Sequence, residues 1–537
     1  MLLGSALAKR SQEKKGGDSM PMIVHEFIRK AVIRHRDRPA LVDSHGTLSY
    51  DELWERSARL GGGLQLIGVN KGDRVVAVMN NRNEWVETDI GVSMLGAVRG
   101  RLNARDGERE WTVTLEDLEP KVVVSGPEFV DTLERIRSSG KVGDFELLVL
   151  GDGESYEELI RGSAAIEPQP VAEDDIYLIF HTSGTTGRYK GAVYLHRNWF
   201  NTYRNIMALF MGGLDHTDAL LHVGPLSHQS GILIAPGLYQ GARSVMMEHF
   251  DPESFFEVVE RERISCTILA PAIINMLANH PSARAADISS LKTIYYSGSP
   301  ISPTVLRKAM EVFGPIFLQG YGSTEGGTIY NTIMYPDEHV RALENNPERL
   351  SSCGRAVPFF DVRLTDNDGH EVPVGEIGEV RVRGDAASVR YWNQPDATAE
   401  AYQDGWFKMG DLAIRDEDGY ITIVDRLNDM IVSGGLNVYP REVEDAIASY
   451  PGVLEVAVIG VPDEKWGEAV MACIALSSDI TLTLEEVQEH CRKVGLAGYK
   501  KPVRLEIVEE IPKTAVGKLF RRVLREKFWA EQSRQVG

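Results

Sequence analysis

The chain has 537 residues, 43% hydrophobic and 25% charged, with 58 basic against 78 acidic residues and a formal net charge of −20. That length exceeds one ordinary core, so roughly two to four domains are expected, and the composition is globular. The acidic balance argues against nonspecific binding to nucleic acid or anionic membrane, which needs basic surface, but leaves room for an anionic substrate where a few cations converge.

The first segment, MLLGSALAKRSQEKKGGDSM, carries its basic residues after the apolar run, the reverse of a secretory signal. A disordered extension over residues 1–20 is expected, with Met20 available as an alternative start. No apolar run reaches the roughly 18 residues of a membrane span. Cys266, Cys353, Cys473 and Cys491 are scattered without a CxxC pair, so neither a disulfide framework nor a zinc site is indicated. A cytoplasmic setting fits these features.

Short apolar runs then alternate with helical patterns. DRVVAVMNN (73–81) reads as a strand and EWVETDIGVSMLGAV (84–98) as a helix. KVVVSG, FELLVL, IYLIFHTSG, ALLHVGP, CTILAP, LKTIYYSG and IFLQGYG are further β-rich runs, several ending in Gly, Ser or Pro, and SPTVLRKAMEVFG is helical between them. This rhythm predicts mostly parallel sheets covered by helices, with ligands gathered where strands end in loops. From about residue 352 the texture becomes antiparallel, with a hairpin turn at DNDG, as far as DGYITIVD near Asp425. PREVEDAIASY and TLEEVQEHCRKV read as helices and VLEVAVIGVP and MACIALS as strands, which makes a smaller α+β unit at the end.

Several loops have compositions suited to chemistry. HTSGTTGRYKG (181–191) follows a buried strand, and its small hydroxylated residues and Lys190 suit a phosphate cradle. It is not a Walker A loop, because Gly191 follows the lysine. On its residues alone a flexible linker fits equally well. YGSTE (321–325) offers an aromatic face and an acid, FKMGDLA (407–413) places Asp411 where a carboxylate can accept ribose hydroxyls, and PKTAVGKLFR (512–521) carries Lys518. Taken singly, each has a bland reading as a turn or a solvated tail.

Together, in this order, these segments resemble the adenylate-forming superfamily of acyl-CoA synthetases, luciferases and peptide-synthetase adenylation domains, from about residue 22 to 528. The resemblance implies a large N-terminal part of two helix-covered sheets and a small β-barrel (21–426), a hinge at 427–429, and a mobile α+β C-terminal domain (430–537). It implies that Thr182, Ser183, Gly184, Thr185, Thr186, Gly187 and Lys190 grip ATP phosphates. Ser297, Gly298 and Ser299 resemble the adenine segment, and Tyr321 and Gly322 the ring-stacking turn. Thr324 would meet the α-phosphate and Glu325 a Mg²⁺ ion. Asp411 and Arg426 would hold the ribose, and Lys518 would bridge the carboxylate and the α-phosphate.

PLSH (225–228) resembles the segment whose histidine, here His228, gates the pantetheine tunnel of acyl- and aryl-CoA synthetases, and no acid follows it to bind an amino-acid ammonium. Gly434 and Gly435 resemble the tunnel-lining strand, and Trp466, Tyr499 and Lys501 match places where the CoA nucleotide binds. The sequence departs from the family at Tyr189, which replaces the usual Pro, at the hinge residue Asn428, and at Ser227 and Leu436. A neutral Asn428 is expected to lose any salt bridge made from the hinge. The implied reaction is ATP-dependent ligation of a carboxylate to CoA, releasing AMP and pyrophosphate. Small residues at Ser227, Ser230, Gly231, Gly326 and Gly327 suggest room for a medium- or long-chain fatty acid. An aryl acid of the benzoate or cinnamate type, or transfer to a carrier protein, are the alternatives, and a homo-oligomer is left open.

Overall fold

The computed structural model describes residues 21–183, 189–477, 480–513 and 519–529. Two large sheets carry the first two-thirds. A seven-stranded sheet runs in the order Arg390–Tyr391, Tyr189–Leu195, Ile176–Ser183, Val98–Arg101, Arg74–Val78, Val122–Ser125, Glu146–Val149, parallel except for Tyr189–Leu195, which pairs antiparallel with both of its neighbours. A nine-stranded sheet places Phe317–Tyr321, Thr293–Tyr296, Cys266–Leu269, Ala219–His222, Arg243–Met246 and Pro39–Asp43 side by side in parallel, with antiparallel strands at both edges. These strands read as unbroken apolar runs because both faces are covered. The largest core cluster joins the two sheets through Leu178, Phe180, Trp199, Leu220, Tyr295 and Leu318.

The helix read over 84–98 stops at Leu95. Gly96 takes φ 69°, a left-handed stop that glycine adopts without strain, and Val98–Arg101 turns into a strand. The small β unit is a five-stranded antiparallel sheet, a half-barrel of Phe360–Thr365, Ile377–Gly384, Tyr402–Gln403, Trp406–Arg415 and Ile421–Arg426. The last unit pairs the long strands Val453–Asp463 and Gly467–Leu476, adds Arg504–Val508 in parallel, and covers them with the helices Pro440–Ala448, Leu484–Lys493 and Arg521–Trp529. All four cysteines are free and buried. Among the described residues no helix is long and apolar enough to cross a membrane. The extension read over residues 1–20 lies outside the described residues.

Candidate active site

The loops that leave the parallel strands of both sheets open onto one cleft of about 2900 Å³, walled on its other side by the half-barrel and the C-terminal unit. Thr182, Lys190, His228, Ser297, Gly298, Ser299, Tyr321, Gly322, Thr324, Glu325, Asp411, Arg426, Gly435 and Trp466 all line it. Residues up to some 300 positions apart therefore share one volume, as strand-end loops of parallel sheets do.

The turn after Phe317–Tyr321 is held by its own backbone. Thr328 N donates to Ser323 O at 2.8 Å, Asn331 N to Tyr321 O at 2.7 Å, and Gly326 N to Ser323 Oγ at 3.0 Å. A Cβ at Gly322 would overlap the Thr328 carbonyl, so only glycine permits this closure. The turn presents Glu325, whose Oε1 accepts from Thr182 Oγ1 at 2.8 Å and from the Tyr391 hydroxyl at 3.4 Å. Lys190 Nζ sits 5.0 Å from the centre of the Tyr391 ring, and Lys190 faces Thr182 across the Ile176–Ser183 and Tyr189–Leu195 pair. Tyr194 donates its hydroxyl to the Thr324 carbonyl. Carboxylate, hydroxyls and an ammonium are thus held within one cluster.

A second cluster forms where the half-barrel meets the same turn. Asp411 and Arg426 are register partners on neighbouring strands, and Arg426 Nε meets Asp411 Oδ1 at 2.8 Å. Tyr321 donates to the other carboxylate oxygen at 2.6 Å. Burial, then the Asp411 charge, pushes the Tyr321 phenol well above its usual range, which keeps it a donor. The Asp411 charge likewise raises Arg426. Gly298 takes φ 89° and a Cβ there would overlap the Gln229 amide, so the 297–299 loop lies against the Pro225–Gln229 turn. On that turn His228 packs edge-on to Phe180, ring centres 5.8 Å apart at 84°.

The C-terminal unit contributes Gly435 and Trp466 to the wall. Gly434 takes φ 59°, its N–H donates to the Trp466 carbonyl at 2.8 Å, and a Cβ there would sit 2.6 Å from the indole. Gly434 and Trp466 therefore form one packed pair. Tyr499 and Lys501 do not line the cleft, and between them Lys500 ion-pairs with Glu442 at 2.7 Å. Gly184, Thr185, Thr186, Gly187, Lys518 and the Ser183 side chain lie outside the described residues.

In the segment 427–429, the ionic contact sits one residue beyond Asn428. Asp429 Oδ2 pairs with Arg521 Nη1 at 3.0 Å, and Arg521 also holds Glu444 at 2.6 Å. Arg525 Nη1 donates to the Asn428 carbonyl at 3.1 Å. Sequence reading passed over this latch, and also over Tyr194, Tyr391 and Asn81. Asn81 Nδ2 reaches the His222, Gly224 and Met247 carbonyls, and its Oδ1 accepts from Leu226 N at 3.0 Å, which clamps the turn below His228. An Asn at the end of a predicted strand was the one available signal.

Residues 28–392 match the family of AMP-binding enzymes, and residues 442–518 match the AMP-binding enzyme C-terminal domain. The chain belongs to the AMP-binding enzyme family. It is similar to a feruloyl-CoA synthase of an Amycolatopsis species, 37% identical over 490 residues covering 90% of this chain and 95% of that one. It is also similar to the medium/long-chain-fatty-acid–CoA ligase FadD8 of Mycobacterium tuberculosis, 32% identical with 94% and 90% covered. ATP-bound MatB from Rhodopseudomonas palustris superposes with a TM-score of 0.84 at 28% identity, covering 96% of this chain and all of that one. The chain is an adenylate-forming enzyme of the acid–thiol ligase class, its two helix-covered sheets, half-barrel and C-terminal unit being the fold of that superfamily.

Proposed function

We propose that the chain joins a short aromatic or arylalkenoic acid to CoA in two steps. A carboxylate oxygen attacks the α-phosphorus of ATP and pyrophosphate leaves. The CoA thiol then attacks the acyl carbonyl and AMP leaves. Two anions must approach in the first step, so fixed cations and preorganised donors are the chief requirement. Lys190 meets the phosphates, Tyr321 and the Asp411–Arg426 pair hold the adenosine, and Thr324 orients the α-phosphate. Lys518 neutralises the charge that develops during adenylation. The hard oxygen donors of Glu325 and Thr182 fit a Mg²⁺ ion, which would neutralise phosphate charge when bound. His228 governs thiol entry, with Gly434, Gly435 and Trp466 on the acceptor side. Residues 21–426 act as the nucleotide and acyl part, and 430–537 as the part that moves about 427–429. A cytoplasmic reaction, where ATP and free CoA are both at hand, belongs to this reading.

The choice of acid rests on how the core behind the cleft is filled. Of the small residues that suggest a long pocket, the three glycines lie against close neighbours. A Cβ at Gly231 would overlap the Leu226 carbonyl, one at Gly327 the Phe360 ring, and one at Gly326 would lie 2.8 Å from Met409 Sδ. Behind them Phe210 packs on Tyr295 with ring centres 4.3 Å apart, and on Tyr330 at 5.7 Å, which in turn meets Phe360 at 5.8 Å. Such a wall of rings favours a short flat acid over an extended alkyl chain. The relatives include ligases of both kinds, named for ferulate and for fatty acids.

The deciding experiment is AMP and pyrophosphate release across benzoic, cinnamic and medium- and long-chain fatty acids, each with and without CoA. CoA-dependent turnover of the aryl acids is expected. Turnover only with long fatty acids would overturn the acid class, and pyrophosphate release indifferent to CoA would move the acceptor to a carrier protein.

A further inference from the structure

The strand Val98–Arg101 carries two arginines into the core. Arg99 and Arg101 alternate onto one face of the sheet, and both are buried, at 0% and 6% exposure. One acid is paired with both. Arg99 Nε meets Asp89 Oδ1 at 2.5 Å, whereas Arg101 Nη2 reaches Asp89 Oδ2 only at 3.4 Å. Asp89 therefore belongs chiefly to Arg99. Among the described residues, Arg101 Nε and Nη1 have no hydrogen-bond partner. The surroundings of that guanidinium are aromatic instead, its carbon lying 5.6 Å from the centre of the Trp85 ring, 5.4 Å from Trp199 and 5.5 Å from Phe180.

A buried cation short of hydrogen bonds destabilises a fold, and the faces of aromatic rings offset only part of that loss. Without Arg101, Asp89 would still be paired one to one with Arg99, so the carboxylate does not require a second arginine. What Arg101 adds is its contact with the rings. Trp85 and Trp199 lie deep in the core, and Trp199 also packs on Tyr177, Tyr194 and Tyr203, so it is held without the guanidinium. Phe180 differs because it borders the cleft. It lies on the neighbouring strand Ile176–Ser183, one residue past the Gly100–Ile179 register pair. The same ring meets His228 edge-on, centres 5.8 Å apart at 84°. Phe180 is thus the neighbour shared by Arg101 and His228, and all three line the cleft.

We infer that Arg101 is a positioning residue for transfer to CoA: its guanidinium holds the Phe180 ring, and Phe180 holds His228 in the orientation that admits the thiol. This rests on the reading of His228 as the residue that governs thiol entry. Arg101 acts through Phe180 and needs no contact with any substrate. An unbranched apolar side chain at 101 would fill the same space yet leave the ring free to turn, since it lacks the attraction between a cation and a ring face that sets the tilt. Adenylation draws on Thr324, Glu325 and the Asp411–Arg426 pair, which the turn after Tyr321 and the half-barrel hold in place, so the first half-reaction is spared.

The test measures the two half-reactions apart in the wild type, Arg101→Met, Phe180→Leu and the double variant. Single-turnover pyrophosphate release without CoA reads the first, and thioester formation at varied CoA reads the second, with benzoic, cinnamic or octanoic acid, whichever the wild type turns over fastest. Each single change should lower kcat/KM for CoA by about 10-fold, the size of one desolvated cation–ring contact, while adenylation stays within about threefold. The double variant should be no slower than the worse single one, since both changes break one line of contact. The melting temperature of Arg101→Met should hold or rise, because the cation in excess is gone. Equal losses in both half-reactions, or CoA kinetics within about twofold of the wild type in either single variant, would overturn the inference. Additive losses in the double variant would also overturn it, by showing that Arg101 and Phe180 act separately. Loss of folding in Arg101→Met would do the same, by making Arg101 a support of the core. A wild type that releases pyrophosphate but forms no CoA thioester would remove the reading of His228 on which the inference rests, before any variant is made.

Discussion

The Tyr321 hydroxyl donates to Asp411 at 2.6 Å across 90 residues of sequence, tying the turn after one sheet to the middle of the half-barrel. The same carboxylate holds Arg426 at 2.8 Å, so its two oxygens are assigned to two different donors. Asp411 cannot be removed without stranding a cation. Asp411→Ala is expected to raise the KM for ATP by about 10- to 100-fold, the scale of a lost charge-assisted contact. Tyr321→Phe removes one donor and keeps the ring, so its effect should stay below about 10-fold. Pyrophosphate exchange at varied ATP measures both, and a larger loss in Tyr321→Phe than in Asp411→Ala would reverse the assignment.

The Thr182–Glu325 contact at 2.8 Å makes a separate prediction about the metal. Thr182 fixes the carboxylate oxygen, and groups that orient a metal ligand are commonly worth about 10- to 100-fold in affinity or activity. Thr182→Val should therefore raise the Mg²⁺ concentration needed for half-maximal adenylation. Glu325→Gln should lower the adenylation rate by about 10²- to 10³-fold at saturating Mg²⁺. Titrating Mg²⁺ at fixed ATP separates the two, and an unshifted curve for Thr182→Val would remove it from the metal's surroundings.

These clusters show why the site was legible from the sequence and much of its support was not. The loops between Thr182 and Asp411 carry unusual local composition, small hydroxylated residues or an acid after a glycine, which betrays them one at a time. Tyr391, Tyr194 and Asn81 have no such mark. Tyr391 reaches Glu325 only because the short strand Arg390–Tyr391 pairs with Tyr189–Leu195, a long-range match that no local pattern encodes. The strand Val98–Arg101 was hidden for a related reason. Its Arg99 and Arg101 are buried in a central strand, paired to Asp89 at 2.5 and 3.4 Å and packed on Trp85, where periodicity rules expect apolar residues. The glycines at 231, 326 and 327 are ambiguous in the sequence for a different reason. Smallness in a sequence marks close approach of neighbours as readily as open space, and only the packing distinguishes them.

The hinge offers a third prediction. Asp429, Arg521 and Glu444 form a chain of ion pairs that joins residue 429 to the helices Arg521–Trp529 and Pro440–Ala448. Asp429→Asn removes the link at the hinge while leaving Arg521 held by Glu444. If the unit after residue 430 turns about 427–429, this change should alter the ratio of thioester formation to adenylation and leave the KM for ATP within about threefold, as a shift of under 1 kcal/mol between two conformations would give. Asn428→Pro should depress thioester formation more strongly than adenylation, since Pro fixes φ where rotation is needed. Single-turnover adenylation and steady-state CoA thioester formation read the two steps, and equal losses in both would count against rotation there.

Acid should unfold this protein earlier than its carboxylate-rich composition suggests. His25, His222 and His339 are held neutral with pKa values lowered to about 4, and His196 to about 3, burial being the first cause in each. A histidine of this kind binds its proton only in the unfolded chain. Its contribution is complete above pH 6.5 and is lost as pH falls toward 4. Asp425 acts in the opposite sense. Burial raises its pKa to about 6, so it is protonated in the folded state before it is in the unfolded one, and between pH 6 and 4 it favours folding as pH falls. Asp106, also raised to about 6 but only half-buried, adds a smaller term of the same sign. The four histidines outnumber these two carboxylates, so unfolding near pH 5 should take up protons and stability should fall as pH falls through this range. Melting temperatures taken at steps from pH 7.5 to 5 should fall with increasing steepness, and His222→Phe should flatten the slope by about one proton. A melting temperature that holds or rises over this range would mean that the histidines are charged in the folded protein.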